Sequence, residues 1–323
     1  MESERINVTN DVTIDIPSSS GTAPMHGPHT HADAHHHHTH ASASHHSGGH
    51  HLLQVEHLSV GFRMYDPEAP YLQAERISSL AVRDLSISVH AGEIVAVVGA
   101  SGSGKTLLAD SIMGLFEPNA WIQGNIWFDG ELLDADSLEL IRGTGVALVP
   151  QGVSHLNPLM TVGKQVDGFP GGRKPSPQRI ERRKALFERY GLAPEVANRY
   201  PHELSGGMAR RVLLCSALMD DPKVIIADEP TPGLDLDLAL AALADFRAFA
   251  DAGGGVMLIT HDIELALRVA DRVAVFQDGT IVEETAVANF ASPDLLRHPF
   301  TKALWHALPE HGFTVSAYEE GSC

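Results

Sequence analysis

Short, nearly continuous apolar runs recur along the middle of the chain, at Ile94–Val98, Val146–Val149, Val224–Ala227 and Val256–Ile259. Runs of this length, rich in β-branched residues, are expected to be buried strands of a parallel sheet. Helical patterns lie between them. Thr106–Leu115 is expected as a helix that stops near Pro118, and Pro175–Tyr190 as a charged helix after the Pro/Gly-rich loop Gly168–Pro177. Leu58–Met64 has the pattern of a first strand before an insertion. Strands alternating with helices predict an α/β fold. With 323 residues the chain can bury a sizeable core, as one α/β domain with a helical insertion and tails.

Between the first of these strands and its helix lies Gly99-Ala100-Ser101-Gly102-Ser103-Gly104-Lys105-Thr106, which fits G-x-x-x-x-G-K-[ST] at every fixed position. The glycines let backbone N–H groups turn inward onto phosphates, and the helix N-terminus adds a favourable dipole. Lys105 suits the β/γ-phosphates of a nucleotide, and the Thr106 hydroxyl suits Mg²⁺. A Gly-rich turn can match such a pattern by chance, but a strand before it and a helix after it argue against that.

A carboxylate pair, Asp228-Glu229, ends the apolar run Val224–Ala227. Acids at the C-terminal end of a parallel strand fall where open α/β sheets bind ligands. Asp228 would hold Mg²⁺, directly or through water, and Glu229 would polarise an attacking water. Alone, the pair would be an ordinary solvated strand end; its position after the phosphate loop gives it weight.

With Leu204-Ser205-Gly206-Gly207-Met208 added between these two elements, the chain resembles an ATP-binding-cassette (ABC) ATPase. Six pieces match in family order: the phosphate loop, Gln151, Leu204–Met208, Asp228–Glu229, Pro232-Gly233-Leu234-Asp235 and His261. The resemblance implies a P-loop core with a parallel sheet, an antiparallel β subdomain and a helical subdomain at about residues 152–222, all within 52–287. It also implies ATP and Mg²⁺ as cofactors, with Ser205, Gly206, Gly207 and Asp235 completing the nucleotide site of a second cassette subunit. Gln151 would touch Mg²⁺ and open the segment that meets a membrane partner, and His261 would reach the γ-phosphate. Phe62 would stack on adenine, with Tyr65 and Tyr71 as alternatives and a core role for Phe62 equally open.

Two departures stand out: Met208 where many cassettes have Gln, and Pro232-Gly233 where Ser-Ala is common. Met at that place resembles the peptide/nickel importer branch. Three segments point the same way: Ser154-His155-Leu156-Asn157-Pro158, Arg199-Tyr200-Pro201-His202-Glu203, and His298-Pro299-Phe300-Thr301 with Lys302-Ala303-Leu304. Residues 288–323 then form the tail of that branch. The implied protein is a peripheral ATPase at the cytoplasmic face of the inner (cell) membrane. Its partners would be membrane permease subunits, a like or related cassette and, indirectly, an extracytoplasmic substrate-binding protein. The cargo would be nickel, another metal chelate or peptides.

Composition narrows this further. No stretch approaches the roughly 18 apolar residues needed to span a bilayer, so work at a membrane requires a partner. A net charge of −18 argues against broad nucleic-acid binding, because a phosphate backbone needs a basic face. Cys215 and Cys323 offer no disulfide framework and suit a reducing compartment. Residues 1–51 are rich in Ser, Thr, Gly and His with almost no apolar periodicity, and are expected to be a disordered tail without a secretory signal. Its imidazoles, among them His35, His36, His37, His38 and His40, suit Ni²⁺ or Zn²⁺; neutral low-complexity drift is the other reading. A metal-enzyme maturation GTPase would also combine a phosphate loop with a His-rich N-terminus, but no N-K-x-D motif is present. A soluble ABC ATPase of DNA repair or translation would carry a long coiled coil or duplicated cassettes, and neither is visible.

Overall fold

The structure, a computed structural model, describes residues 50–65, 76–168 and 175–308. The tail histidines 35–38 and 40, Tyr71 and the Tyr65 side chain lie outside the described residues.

Two long antiparallel strands come first, β1 (His51–Tyr65) and β2 (Arg76–His90). β3 (Ile94–Gly99) runs into the phosphate loop and α1 (Lys105–Ile112). β4 (Ala120–Phe128), β5 (Glu131–Leu132) and α2 (Ala135–Leu140) lead to β6 (Val146–Val149). α3 (Val162–Asp167), α4 (Pro177–Arg189) and α5 (Gly206–Ala217) make up the helical insertion. The chain then returns through β7 (Val224–Asp228), α6 (Leu236–Asp251), β8 (Gly255–Thr260), α7 (Ile263–Leu267), β9 (Arg272–Gln277) and β10 (Thr280–Ala286), and the described part closes with α8 (Pro299–His306).

Among the described residues these strands form two sheets, an antiparallel one in the order β2-β1-β4-β5 and a larger one in the order β10-β9-β3-β8-β7-β6. In the larger sheet β9, β3, β8, β7 and β6 are parallel, and only β10 at the edge is antiparallel. This is the α/β arrangement that the apolar runs predict. Its strands are apolar throughout because both faces are covered. Strand period sends Ile94, Ala96 and Val98 into one core with α5 and α6, and Val95 and Val97 into another with α1 and the antiparallel sheet. The two cores clamp β3, and the loop that follows it therefore sits on a rigid support.

Local chemistry shifts the element ends from the sequence expectation. α1 stops at Ile112, short of Leu115, because Gly114 takes φ 62°, the left-handed conformation that ends a helix. α4 starts at Pro177, after Pro175, because the Ser176 hydroxyl accepts from the Arg179 N–H at 3.3 Å and proline suits the first helical position. β1 reaches back to His51, well before Leu58, and so takes in the last residue of the expected 1–51 tail. A bulge between Val55 and Leu58, with His57 at φ 52°, breaks the alternation that would have shown this.

The helical insertion is tied to the sheet layer at a buried joint. The Tyr190 hydroxyl and the Arg189 guanidinium, at the end of α4, both engage the Asp245 carboxylate on α6. At the other end, Glu283 on β10 accepts from the N–H groups of Arg297 and His298, each at 2.8 Å. That carboxylate fixes the entry to α8, and the Trp305 indole N–H holds the Phe290 carbonyl oxygen at 2.7 Å.

Candidate nucleotide site

The phosphate loop leaves β3 at a point where no side chain fits. A Cβ on Gly99 would lie 2.2 Å from the Phe276 carbonyl oxygen on β9. Gly102 at φ 77° and Gly104 at φ 110° turn the loop into α1, a left-handed route that favours glycine. Ala100, Ser101 and Gly102 are exposed, with Ser103 half-buried beside them. Lys105 is buried and folds back over the loop, its ammonium donating to the carbonyl oxygens of Gly99 at 3.0 Å and Ala100 at 2.8 Å and to the Ser103 hydroxyl at 3.4 Å. Burial lowers the pKa of this ammonium, opposed by the carboxylates of Glu229 and Asp228.

Those carboxylates come from the end of β7. Asp228 is buried and hydrogen-bonded to Thr106, and its Oδ1 has no hydrogen-bond partner. Burial raises its pKa, partly offset by Thr106, while Glu229 and Asp110 push it up further. Glu229 sits at φ 48°. Its carboxylate accepts from the His261 N–H at 3.0 Å and the Thr260 hydroxyl at 3.3 Å, and lies 2.7 Å from His261 Nδ1. The cause is register. β7 and β8 are parallel with Asp228 beside Ile259, so residues one and two further along each strand meet at the sheet edge. The Glu229 side chain is 8% exposed and the His261 ring 60%, so a buried acid holds an imidazole at the surface.

The remaining expected residues divide. Gln151 is exposed beyond the end of β6. Phe62 is half-buried on β1, opposite Ser79 on β2 and on the face of Val60. Two residues along β2 from Ser79, the Ala81 carbonyl oxygen lies 3.3 Å from where a Gly104 Cβ would be, so this hairpin borders the loop. Ser205 caps α5, its hydroxyl accepting from the Met208 N–H at 3.3 Å. Gly206 is exposed with open space around it, and Gly207 lies against the Gly233 carbonyl oxygen, 3.2 Å from an added Cβ. Asp235 caps α6, accepting from the Leu238 N–H at 2.9 Å. Among the described residues the loop, Asp228, Glu229 and His261 thus form one connected set, while Ser205 and Gly206 are exposed and Gly207 is half-buried against Gly233.

Three residues that the motifs did not single out belong to the same set. Arg210 on α5 donates to the Glu229 carbonyl oxygen at 3.2 Å. Its signal was helical spacing, one turn beyond Gly206 on the same face. Thr260 bridges Glu229 and the Asp262 N–H, the latter at 3.0 Å. Asp110, on α1, is a carboxyl whose pKa is raised by burial. The oxygen donors of Thr106 and Asp228, with one carboxylate oxygen unpartnered and further acids close by, fit a hard divalent cation such as Mg²⁺.

A family model described as ABC transporter matches residues 82–232. The oligopeptide transport ATP-binding protein OppD of Lactococcus lactis subsp. cremoris (strain SK11) is 37% identical over 271 residues, covering 80% of this chain and 76% of that protein. The chain belongs to the ABC transporter ATPase family. The dipeptide transport ATP-binding protein DppD of Escherichia coli (strain K12) is also 37% identical, over 273 residues and 79% of its own length. Among solved structures, the ATP-binding cassette MJ0796, as a dimer in a post-hydrolysis state bound to ADP and Pi, superposes with a TM-score of 0.63 at 27% identity. That match covers 73% of this chain and 99% of the solved one. This cassette is accordingly an ATPase, and the connected set at the ends of β3, β7 and β8 is its candidate catalytic centre. Among the described residues no helix is long and apolar enough to cross a membrane.

Proposed function

We propose that this ABC ATPase powers a peptide importer, docked on permease subunits at the cytoplasmic face of the cell membrane and working as a nucleotide-sandwich dimer. The observation that carries the import reading is the alignment over four-fifths of the chain with proteins named for oligopeptide and dipeptide transport. The segments at 154–158, 199–203 and 298–304 support it.

In this reading the backbone N–H groups of residues 99–106 bind the β- and γ-phosphates, and Lys105 exchanges its carbonyl partners for phosphate oxygens. Thr106, Asp228 and Gln151 would hold Mg²⁺. Bound there, the ion would neutralise charge on the phosphate oxygens. Glu229, fixed by His261 and Thr260, accepts a hydrogen bond from the attacking water and orients it in line with the γ-phosphate. His261 is aimed by Glu229 and contacts the γ-phosphate. Phe62 stacks on adenine. The backbone N–H groups at Ser205, Gly206 and Gly207 close over a nucleotide held by a second cassette, with Asp235 at the same interface. Residues 152–158, following Gln151, face the permease.

A second reading, import of nickel or a metal chelate, is favoured by one feature: the histidines of residues 26–51, which supply imidazole ligands for Ni²⁺ or Zn²⁺. Uptake by cells whose only copy carries Lys105→Ala separates the two. Loss of labelled di- and oligopeptide uptake is the expected result. Intact peptide uptake with radioactive nickel uptake lost would replace the first reading by the second, and both uptakes intact would end the import proposal.

A further inference from the structure

Glu229 stands at φ 48°, a left-handed conformation that a residue with a Cβ keeps only where its surroundings impose it. Part of that constraint comes from the neighbouring strand. The Glu229 N–H donates to the Ile259 carbonyl oxygen at 2.9 Å, and the carboxylate is held by Thr260 and by His261 just beyond it. The rest comes from outside the sheet. The Glu229 carbonyl oxygen accepts from Nη1 of Arg210, on α5, at 3.2 Å.

Arg210 is half-buried, and its stem lies against the turn that follows Glu229. A Cβ on Gly233, at φ 78°, would lie 3.4 Å from Arg210 Nε and 3.8 Å from its Cδ. One helical turn earlier, Gly207 lies against the Gly233 carbonyl oxygen, so α5 meets this turn at two successive points. Among the described residues Arg210 forms no ion pair, and the Glu229 carbonyl is its hydrogen-bond partner. The next residue faces the other way. Arg211 Nη1 donates to the carbonyl oxygens of Tyr190 at 3.0 Å and Gly191 at 3.2 Å, at the end of α4. Adjacent arginines on α5 thus grip backbone on both sides, one in the helical insertion and one at the catalytic edge of the sheet.

We propose that Arg210 is a positioning residue for hydrolysis: its guanidinium holds the Glu229 peptide in the left-handed conformation and so ties the aim of the carboxylate to the place of α5. This rests on the reading above that Glu229 orients the attacking water. Ser205 caps α5, and Gly206 and Gly207 open it, so any shift of that segment moves Arg210 with it. A planar guanidinium with its donors in a fixed fork transmits such a shift to the carbonyl it holds. Arg210 touches neither nucleotide nor water in this role. It acts on the reaction through Glu229 alone.

Steady-state hydrolysis by the full-length protein at varied MgATP tests this, with the melting temperature as the check on folding. Arg210→Met keeps an unbranched stem against Gly233 and removes the donor. Its kcat should fall about tenfold while KM for ATP stays within about twofold, because a misaimed carboxylate costs rate and not ground-state binding. Arg210→Gln ends two bonds short of Nη1 and should lose turnover as methionine does, so it answers the question if the methionine form does not fold. A packing role alone would lower the melting temperature and leave kcat per folded molecule unchanged. In single turnover, Glu229→Gln/Arg210→Met should be no slower than Glu229→Gln, since residues that act as one unit are not additive. Wild-type kcat in the folded Arg210 variants, or a full further loss in the double variant, would overturn the role of Arg210 and leave that of Glu229 standing. Wild-type turnover in Glu229→Gln would overturn the reading of Glu229 and this inference with it.

Discussion

Changing Glu229 to glutamine isolates the group proposed as the catalytic carboxylate. The side chain is almost fully buried and receives hydrogen bonds from the His261 N–H at 3.0 Å and the Thr260 hydroxyl at 3.3 Å. Glutamine has the same shape. Its carbonyl oxygen can keep the His261 bond, and its NH₂ can donate to the Thr260 oxygen, so the fold should survive. What is lost is the basic oxygen proposed to face the attacking water. Removal of a positioned general base costs about 10²- to 10⁴-fold in rate, or roughly 3–5 kcal/mol of barrier. Nucleotide affinity should move the other way or stay level. Glu229 contributes negative charge beside Lys105, and neutralising it removes repulsion against a triphosphate. Phosphate release at saturating MgATP and equilibrium binding of a fluorescent ATP analogue measure the two quantities separately. Turnover within about threefold of wild type would refute the assignment, since a positioned general base typically contributes about 10²-fold or more. Loss of binding together with turnover would show a structural role instead.

Two other outcomes follow from the same geometry. Ser205→Arg removes the cap of α5, costing about 1 kcal/mol, and puts a long cation beside the exposed Gly206. Nucleotide binding by the monomer should persist while ATP-driven dimerisation of the Glu229→Gln form is lost in light scattering; dimers that still assemble would count against a shared site. Asp228→Asn should raise the melting temperature at neutral pH without Mg²⁺. Burial lifts the native pKa of Asp228 above its ordinary 3.8, so the folded state binds the proton more tightly and stability falls as pH rises through the raised value. The difference between variant and wild type should close when the pH drops below about 4, where the carboxyl is protonated in both states; equal melting at neutral pH would contradict this.

Contiguous chemistry was legible from residue order alone. The run from Gly99 to Thr106 must be contiguous because neighbouring backbone N–H groups have to converge on one phosphate, and the apolar runs around it must be continuous because both sheet faces are covered. The family, the α/β class and the identities of Asp228, Glu229 and His261 as a set were therefore within reach of the sequence. Element ends were not, because single residues such as Gly114 and Ser176 set them through backbone conformation and capping, and the bulge at His57 hides the start of β1. Tertiary structure alone decided what touches what. Glu229 meets His261 because β7 and β8 run parallel in a particular register, and Arg210 reaches the Glu229 carbonyl because α5 packs beneath that edge. His51 finds His90 through the antiparallel pairing of β1 with β2. Side-chain period marks which face of a strand is buried, but it carries no record of which strand lies alongside, since that is settled by how whole sheets and helices pack.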